Sequence, residues 1–333
     1  MEEILVSICC LAYNHEAYIR DALEGFVNQQ TNFRFEVLIH DDASTDRTAE
    51  IIRLYEQRYP DIIKPIYQTE NQHSKGVAIS ATIQYPRARG KYIAMCEGDD
   101  YWIDPHKLQK QVDYMQAHPD CRLCFTNGLC EQNGVRTRRV IPWMPWNRKA
   151  WQPGGGDYDM GQLALLDYVP TASLMFLRED ILSRPAFSPG SFTGDMCMRL
   201  YPTSLGYAHC IDQDTCVYRY GVPGSSTTQW KHSGEKLVKF LRSLISLLED
   251  MNRLTGYRYD AQLTQVKLRS QCRIHVTLRQ RRAAWQKPYR ALHWADGPAA
   301  FLRYAVSVWL PGVYAGLRNL KAALRRRSER TGA

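Results

Sequence analysis

Much that marks a nucleotide-binding or secreted chain is missing here. No G-x-G-x-x-G follows the first apolar run, where the turn reads Leu11-Ala12-Tyr13-Asn14-His15, and this disfavours a dinucleotide site. No G-x-x-x-x-G-K-[ST] occurs anywhere, which excludes a P-loop. The apolar stretch near the carboxyl end is broken by Arg303 and Pro311, so a bilayer-spanning helix is not expected there. The amino terminus is acidic (Glu2, Glu3) and its apolar run only strand length; no secretory signal peptide is expected, and a reducing cytoplasm fits. The ten cysteines do not make a disulfide framework. Cys9 and Cys10 adjoin within one strand, and most others sit in apolar runs where a thiol behaves as a small hydrophobe. Cys121-Arg122-Leu123-Cys124 has C-x-x-C spacing but no second pair at zinc-ribbon distance.

What the chain does have is carboxylates at the ends of strands. Tyr92-Ile93-Ala94-Met95-Cys96, preceded by Gly90, reads as a buried strand and runs straight into Glu97-Gly98-Asp99-Asp100-Tyr101-Trp102. Phe35 to His40 reads as another and ends in Asp41-Asp42-Ala43-Ser44-Thr45-Asp46, whose polar turn can cap a helix beginning near Thr48. A third, Ile4 to Leu11, leads into Ala12-Tyr13-Asn14-His15-Glu16 and a helix over roughly 17–29. Strands and helices thus alternate through the first hundred residues, with functional groups just past three strand ends, the edge at which open α/β sheets bind ligands. Packed like charges repel, so such a cluster calls for a cation, and hard oxygen donors favour Mg²⁺ or Mn²⁺ shared with substrate phosphates. Aspartates reach a diphosphate only through a metal, which points to a nucleotide-diphosphate site without a glycine cradle.

The ordered set Val6-Ser7-Ile8, Tyr13-Asn14, Asp41 to Asp46, Gly90 to Ile93, Asp99-Asp100 and Pro105 resembles the family-2 inverting glycosyltransferases of the GT-A fold, over about residues 4–230. The resemblance implies an α/β nucleotide-sugar-binding sheet flanked by helices, of the kind that builds bacterial cell-surface polysaccharides and oligosaccharides. It implies a nucleotide site formed by Ala12, Tyr13, Asn14, Asp42 and Asp99, in which Tyr13 stacks on the base, Asp42 accepts from the base ring and Asp99 binds the ribose. Asp100 would hold Mn²⁺ or Mg²⁺ on the diphosphate; the two adjacent aspartates can exchange roles, and Glu97 can share the metal. The implied donor is a nucleotide sugar, a UDP-sugar first, and the acceptor a saccharide or lipid-linked oligosaccharide.

The reaction also needs a base for the acceptor hydroxyl. In Phe192 to Leu200 the apolar Met196 and Leu200 suggest a helix starting at or just after Asp195, where free N–H groups and the dipole favour an anion. A plain helix cap is the alternative; the resemblance makes Asp195 the catalytic base. Val169 to Arg178 resembles the strand leading there, and Ile211 to Ser226 the closing strand and loop. Arg219 can reach the diphosphate or form a structural ion pair, and Lys75, where the resemblance implies a basic residue near the nucleotide, is otherwise a solvated loop lysine. A nucleotidyltransferase shares the metal carboxylates but wants a basic glycine-rich loop that Leu11 to Glu16 does not offer. A non-catalytic sugar-binding module has no use for both the metal carboxylates and Asp195.

Charge divides the chain. Residues 231–333 hold 21 Lys/Arg against 6 Asp/Glu, whereas the first 230 carry a net −6. This predicts a catalytic domain over 1–230, with a nucleotide-binding half (1–130) and an acceptor-side half (131–230), and a helical basic region over 231–333. Apolar spacing over 232–254 predicts an amphipathic helix that packs on the catalytic part or on a second subunit. Phe301 to Leu317, followed by Arg318, Lys321, Arg325, Arg326, Arg327 and Arg330, fits a helix in the headgroup layer of an anionic membrane, with internal packing the competitor. That places the enzyme peripherally at the cytoplasmic membrane face; the acidic catalytic part argues against nucleic acid. Glu131 to Asp167, with Trp143, Trp146, Trp151 and a run of arginines, reads as an irregular acceptor-side lid or a loop pinned to the core.

Overall fold

Five consecutive buried residues, Val6 to Cys10, sit in the first strand of the computed structural model, which describes residues 3–142, 150–166, 168–191, 194–225, 228 and 233–317. A strand apolar on both faces needs cover on both sides. β1 (Ile4–Ala12), β2 (Arg34–Asp41), β3 (Ile63–Tyr67) and β4 (Tyr92–Met95) pair in parallel in the order β3-β2-β1-β4. Their residues alternate between two cores. Val6, Ile8, Cys10, Val37 and Ile39 pack with α1 (Ile19–Val27) and α2 (Thr48–Arg58), whereas Cys9, Leu38, Ile93 and Met95 face the other side. In α1 the spacing Ile19, Ala22, Leu23, Phe26 makes the buried stripe. Burial of Phe26, edge-on to Trp102, contributes about 1.5–3 kcal/mol.

Ser7 is the polar exception inside β1. Its hydroxyl donates to Glu36 at 2.7 Å and accepts the Gly90 amide at 2.9 Å. A Cβ at Gly90 would lie 2.5 Å from the Ser7 nitrogen, so the glycine ahead of β4 is demanded by close approach.

The sheet continues as β4-β9-β6-β10-β5. Its members are β5 (Tyr101–Trp102), β6 (Cys121–Gln132), β9 (Met175–Leu177) and β10 (Tyr207–Arg219), with β9 antiparallel to both neighbours. α3 (Tyr85–Arg87) precedes β4, and α4 (Lys107–Ala117) packs under β6. All ten cysteines are buried and free, as their apolar surroundings predict.

The stretch from Glu131 to Asp167 is less irregular than its composition suggests. β6 runs on to Gln132 and turns back as β7 (Val135–Arg139); β8 (Gly156–Tyr158) pairs with β10; and α5 (Met160–Leu165) opens on a capping box between Asp159 and Gln162. Arg139 is held by Asp212 and Asp214, and Trp151 packs on the core. Trp143 and Trp146 lie outside the described residues.

α6 (Arg178–Leu182) and α7 (Asp195–Ser204) follow β9. The amphipathic helix expected over 232–254 is present as Gly234–Leu254, capped by Ser233. Its Leu244, Leu247, Leu248 and Met251 join the core shared with α5 and α7, so the face is covered within the chain. The charge break near residue 230 is therefore not a break in packing. Helix Asp260–Thr277 lies against it, and three short helices follow, Arg281–Ala284, Lys287–Ala295 and Pro298–Trp309. The last does not lie free, because Tyr304 and Val308 are buried against Cys272, Ala284 and Tyr289. Among the described residues no helix is long and apolar enough to cross a membrane.

Candidate active site

The register that pairs Ala12 with Asp41 and Cys9 with Met95 brings the ends of β1, β2 and β4 to one edge. The loops there are stitched together. Asn14 adopts φ +54°, a conformation Asn tolerates; its amide donates to Ser44 Oγ at 2.9 Å and its Oδ1 accepts the Thr45 amide at 2.8 Å. The His15 amide donates to Thr48 Oγ1 at 2.7 Å, and that of Glu16 to Asp46 at 3.0 Å. On this frame Tyr13 stands with 44% of its surface exposed, a ring free to take a stacking partner.

Asp42 is buried, and its carboxylate accepts the Gln72 and His73 amides at 2.8 and 3.0 Å, which fastens the 70–76 loop over the edge. Lys75 in that loop pairs with Glu70. Asp41 differs: its Oδ1 is buried without a hydrogen-bond partner among the described residues, and burial pushes its carboxyl up. His15 Nδ1 is orphaned in the same way. Sequence reading passed over both, since nothing local distinguishes a satisfied polar atom from an orphaned one.

The β4 turn is built around Gly98, where a Cβ would meet His15 Nδ1 and Ile19 Cδ1 at 2.9 Å each. Asp99 and Asp100 are both buried, and Asp100 Oδ1 accepts the Arg219 amide at 2.8 Å. Burial, then the charge of Asp99, holds the Asp100 carboxyl well above its usual range, and the Arg219 amide only partly offsets this. Glu97 opens to the cleft but is enclosed by surrounding protein; that enclosure, then Asp99 and Asp195, pushes its carboxyl up to about 8.

Arg219 resolves as a structural ion pair. Its guanidinium donates to the Asp99 carbonyl at 3.1 Å and to Glu131 at 3.0 Å, pairs with Asp21, and stands 4.3 Å from the Tyr101 ring centroid. Arg219→Met should therefore lower stability by about 3 kcal/mol, because Glu131 keeps its charge and loses its partner. Urea denaturation measures this, and a loss under about 1 kcal/mol would mean the cluster is not holding the turn.

Asp195 is the first residue of α7, as the spacing predicts, and its Oδ1 accepts the Met196 amide at 2.8 Å. It belongs to a different element from the β4 acids but lies near them: its charge acts on Glu97, and Tyr168 feels both Asp100 and Asp195. The oxygen donors and their mutual repulsion fit a hard divalent cation. Among the described residues no group of three His, Cys, Asp or Glu closes around one. A cation here would thus take its remaining ligands from a bound diphosphate and water, the usual arrangement for Mg²⁺.

Residues 7–183 match the family model described as Glycosyl transferase family 2, which ends short of Asp195. An uncharacterized protein of Mycobacterium tuberculosis is 39% identical over 251 residues, 73% of this chain and 68% of that protein. The UDP-Glc:alpha-D-GlcNAc-diphosphoundecaprenol beta-1,3-glucosyltransferase WfaP of Escherichia coli is 35% identical over 113 residues, 34% of this chain and 42% of that one. The mannosyltransferase PcManGT from Pyrobaculum calidifontis, solved with GDP-Man and Mn²⁺, aligns with a TM-score of 0.51 at 18% identity, covering 95% of this chain and 86% of that chain. At that identity the likeness speaks for the fold, which is GT-A.

Proposed function

The chain belongs to glycosyl transferase family 2, and on that premise we propose that it transfers a sugar, with inversion, from a UDP-sugar to a hydroxyl of a saccharide or lipid-linked oligosaccharide. One observation carries the reading: Glu97, beside the buried Asp99 and Asp100 at the end of β4, lies within electrostatic reach of Asp195, the first residue of α7. Two charges are involved in sugar transfer, the departing diphosphate and the proton of the acceptor, and the cleft has groups for both.

In this reading Tyr13 stacks on the base. Asp42 accepts from the base ring while its carboxylate also fixes the 70–76 loop. Ala12 and Asn14 shape the floor, and Asp99 binds the ribose. Asp100, with Glu97 beside it, would hold Mn²⁺ or Mg²⁺, which supplies Lewis-acid neutralisation of the diphosphate. Asp195 keeps one oxygen on the Met196 amide and turns the other to the acceptor hydroxyl, whose proton it takes. One base and one displacement leave no covalent intermediate, so the anomeric configuration inverts. WfaP's donor and acceptor, by its name, support a UDP-sugar and a diphosphate-linked lipid acceptor. Incubation with labelled nucleotide sugars and Mn²⁺, followed by NMR of the product's anomeric centre, tests this; a retained configuration rules it out.

A lipid-linked acceptor puts the enzyme at the cytoplasmic membrane face, and the carboxyl-terminal surface suits an anionic bilayer. Among the described residues, six of the fourteen exposed large hydrophobics fall between Trp294 and Leu317. The sole acid from 281 to 317, Asp296, is drawn inward by two bonds from Arg269. What remains outside is apolar and cationic, Trp294, Leu302, Trp309 and Leu310 beside Lys287, Arg290 and Arg303. Each basic residue near an anionic surface contributes about 1 kcal/mol. Truncation after Ala300 would strip Tyr304 and Val308 from the bundle, so surface substitutions are the cleaner test. Trp294→Ser/Leu302→Ser/Trp309→Ser should cut co-sedimentation with phosphatidylglycerol vesicles by about tenfold or more, since each large side chain withdrawn from water is worth about 1.5–3 kcal/mol. Donor hydrolysis should be unchanged. Salt should weaken wild-type binding only in part, because the apolar face is not screened. A wild-type protein that ignores anionic vesicles sinks the membrane reading.

A further inference from the structure

Among the described residues, the segment ahead of Asp195 is held by side chains rather than by regular structure. Residues 183–191, between α6 and α7, form neither helix nor strand, and Phe187 reaches the core, edge-on to Tyr201. The second half of the segment is gripped by an acid from another element. Asp250, on helix Gly234–Leu254 and 7% exposed, accepts the Ser188 amide at 2.9 Å, the Ser188 hydroxyl at 2.6 Å and the Ser191 hydroxyl at 2.6 Å. Ser246, one turn earlier, lies 2.9 Å from the same Ser191 hydroxyl. Arg253 pairs with Asp250 and donates to Ser188 Oγ at 3.1 Å. Among the described residues these are the side-chain bonds that fasten 188–191, and all come from one helix.

An acid is a costly occupant of that position. Its neighbours Leu247, Leu248 and Met251 are fully buried, and a carboxylate withdrawn from water costs several kcal/mol unless paired and hydrogen-bonded. Burial by itself would raise the Asp250 carboxyl, yet the Ser188 and Ser191 bonds hold it below its usual range. For stability alone an apolar side chain serves the helix face as well. What the carboxylate adds is direction, because three donors converging on one group fix where the segment leaves the core, four residues before Asp195.

We propose that Asp250 is a positioning residue for Asp195: it locks the 188–191 segment to the carboxyl-terminal helix and so sets where the base meets the acceptor hydroxyl. This rests on Asp195 being the base. A displacement of about 1 Å at a reacting group can cost up to about 10²-fold in rate. Asp250→Asn keeps the shape but cannot accept three bonds in the same way, and it should lower kcat by about 10–100-fold with the donor KM within about twofold, since Asp250 touches neither donor nor metal site.

A purely structural role predicts a similar loss in any background, so the deciding experiment is a double-mutant cycle with Asp195→Asn. If Asp250 acts through Asp195, Asp250→Asn takes nothing further from the residual rate of Asp195→Asn. Equal fold losses in both backgrounds, or an unchanged kcat in the single variant, overturns the proposal. If Asp250→Asn does not fold, Ser191→Ala, which removes one of the three bonds and leaves the Arg253 pair, carries the same cycle with a smaller loss. An Asp195→Asn enzyme with full activity would remove the base assignment itself; an inactive one beside a fully active Asp250→Asn would remove the positioning role alone.

Discussion

On the proposed assignment Asp100→Ala should reduce sugar transfer to background, a loss of about 10³-fold or more, because the charge that would anchor a cation on the departing diphosphate is gone. Asp99→Ala should instead weaken donor binding more than it slows turnover, since ribose contacts exist in the ground and transition states alike. The alanine at 100 carries a side effect. It leaves the Arg219 amide, buried and bonded to Asp100 Oδ1 at 2.8 Å, without an acceptor. Such an orphaned donor costs about 1–3 kcal/mol. Asp100→Asn keeps an oxygen for that amide and removes only the charge, so it should unfold like the wild type while losing transfer. Radiolabelled donor assays with Mn²⁺, with and without EDTA, read this out. Full activity of Asp100→Asn in EDTA would falsify the metal-dependent reading.

The second large effect belongs to Asp195. Asp195→Asn retains an acceptor for the Met196 amide, so α7 should start where it does now. On the proposed assignment the substitution removes the basic oxygen that would take the acceptor's proton. We expect kcat to fall by about 10²–10⁴-fold, the usual range for a general base, with donor affinity near wild type. Isothermal titration with donor and stopped assays with acceptor separate the two quantities. A matched loss of donor binding would make Asp195 a donor ligand instead. The family match ends at residue 183, so this experiment tests a role supported by position rather than by that match.

Much of the first hundred residues was legible in the sequence because the signals there are local. The strands of β1, β2 and β4 show as apolar runs, α1 as a stripe at 3.6 spacing, and the acids as the residues just past each strand end. The start of α7 at Asp195 could be read from a single turn. Where the signal was composition alone, the reading was coarser. Tryptophans, prolines and glycines over 131–167 suggested an irregular lid, but most of its described part is strand and helix, because β6 and β10 offer edges to pair with. The charge break near 230 suggested a boundary, but charge reports surface, and the buried face of helix Gly234–Leu254 continues the core beneath it.

By itself the sequence determined the alternation of strands and helices and which acids stand at the strand ends, since these arise from periods of two and 3.6 residues and from turn chemistry. Only the tertiary structure decided what those groups face. Arg219 is tied to Asp100 across 119 positions and to Asp21 across 198, a closure no local pattern announces, and so its guanidinium is not a free diphosphate ligand. The atoms of Asp41 and His15 that find no partner among the described residues, the nearness of Asp195 to Glu97 and the grip of Asp250 on Ser188 and Ser191 belong to the same class. Each depends on which distant segments share a volume once both cores have closed. Burial, and with it the cost of an unpaired charge or the reach of a carboxylate, is a property of that shared volume and not of the chain's order.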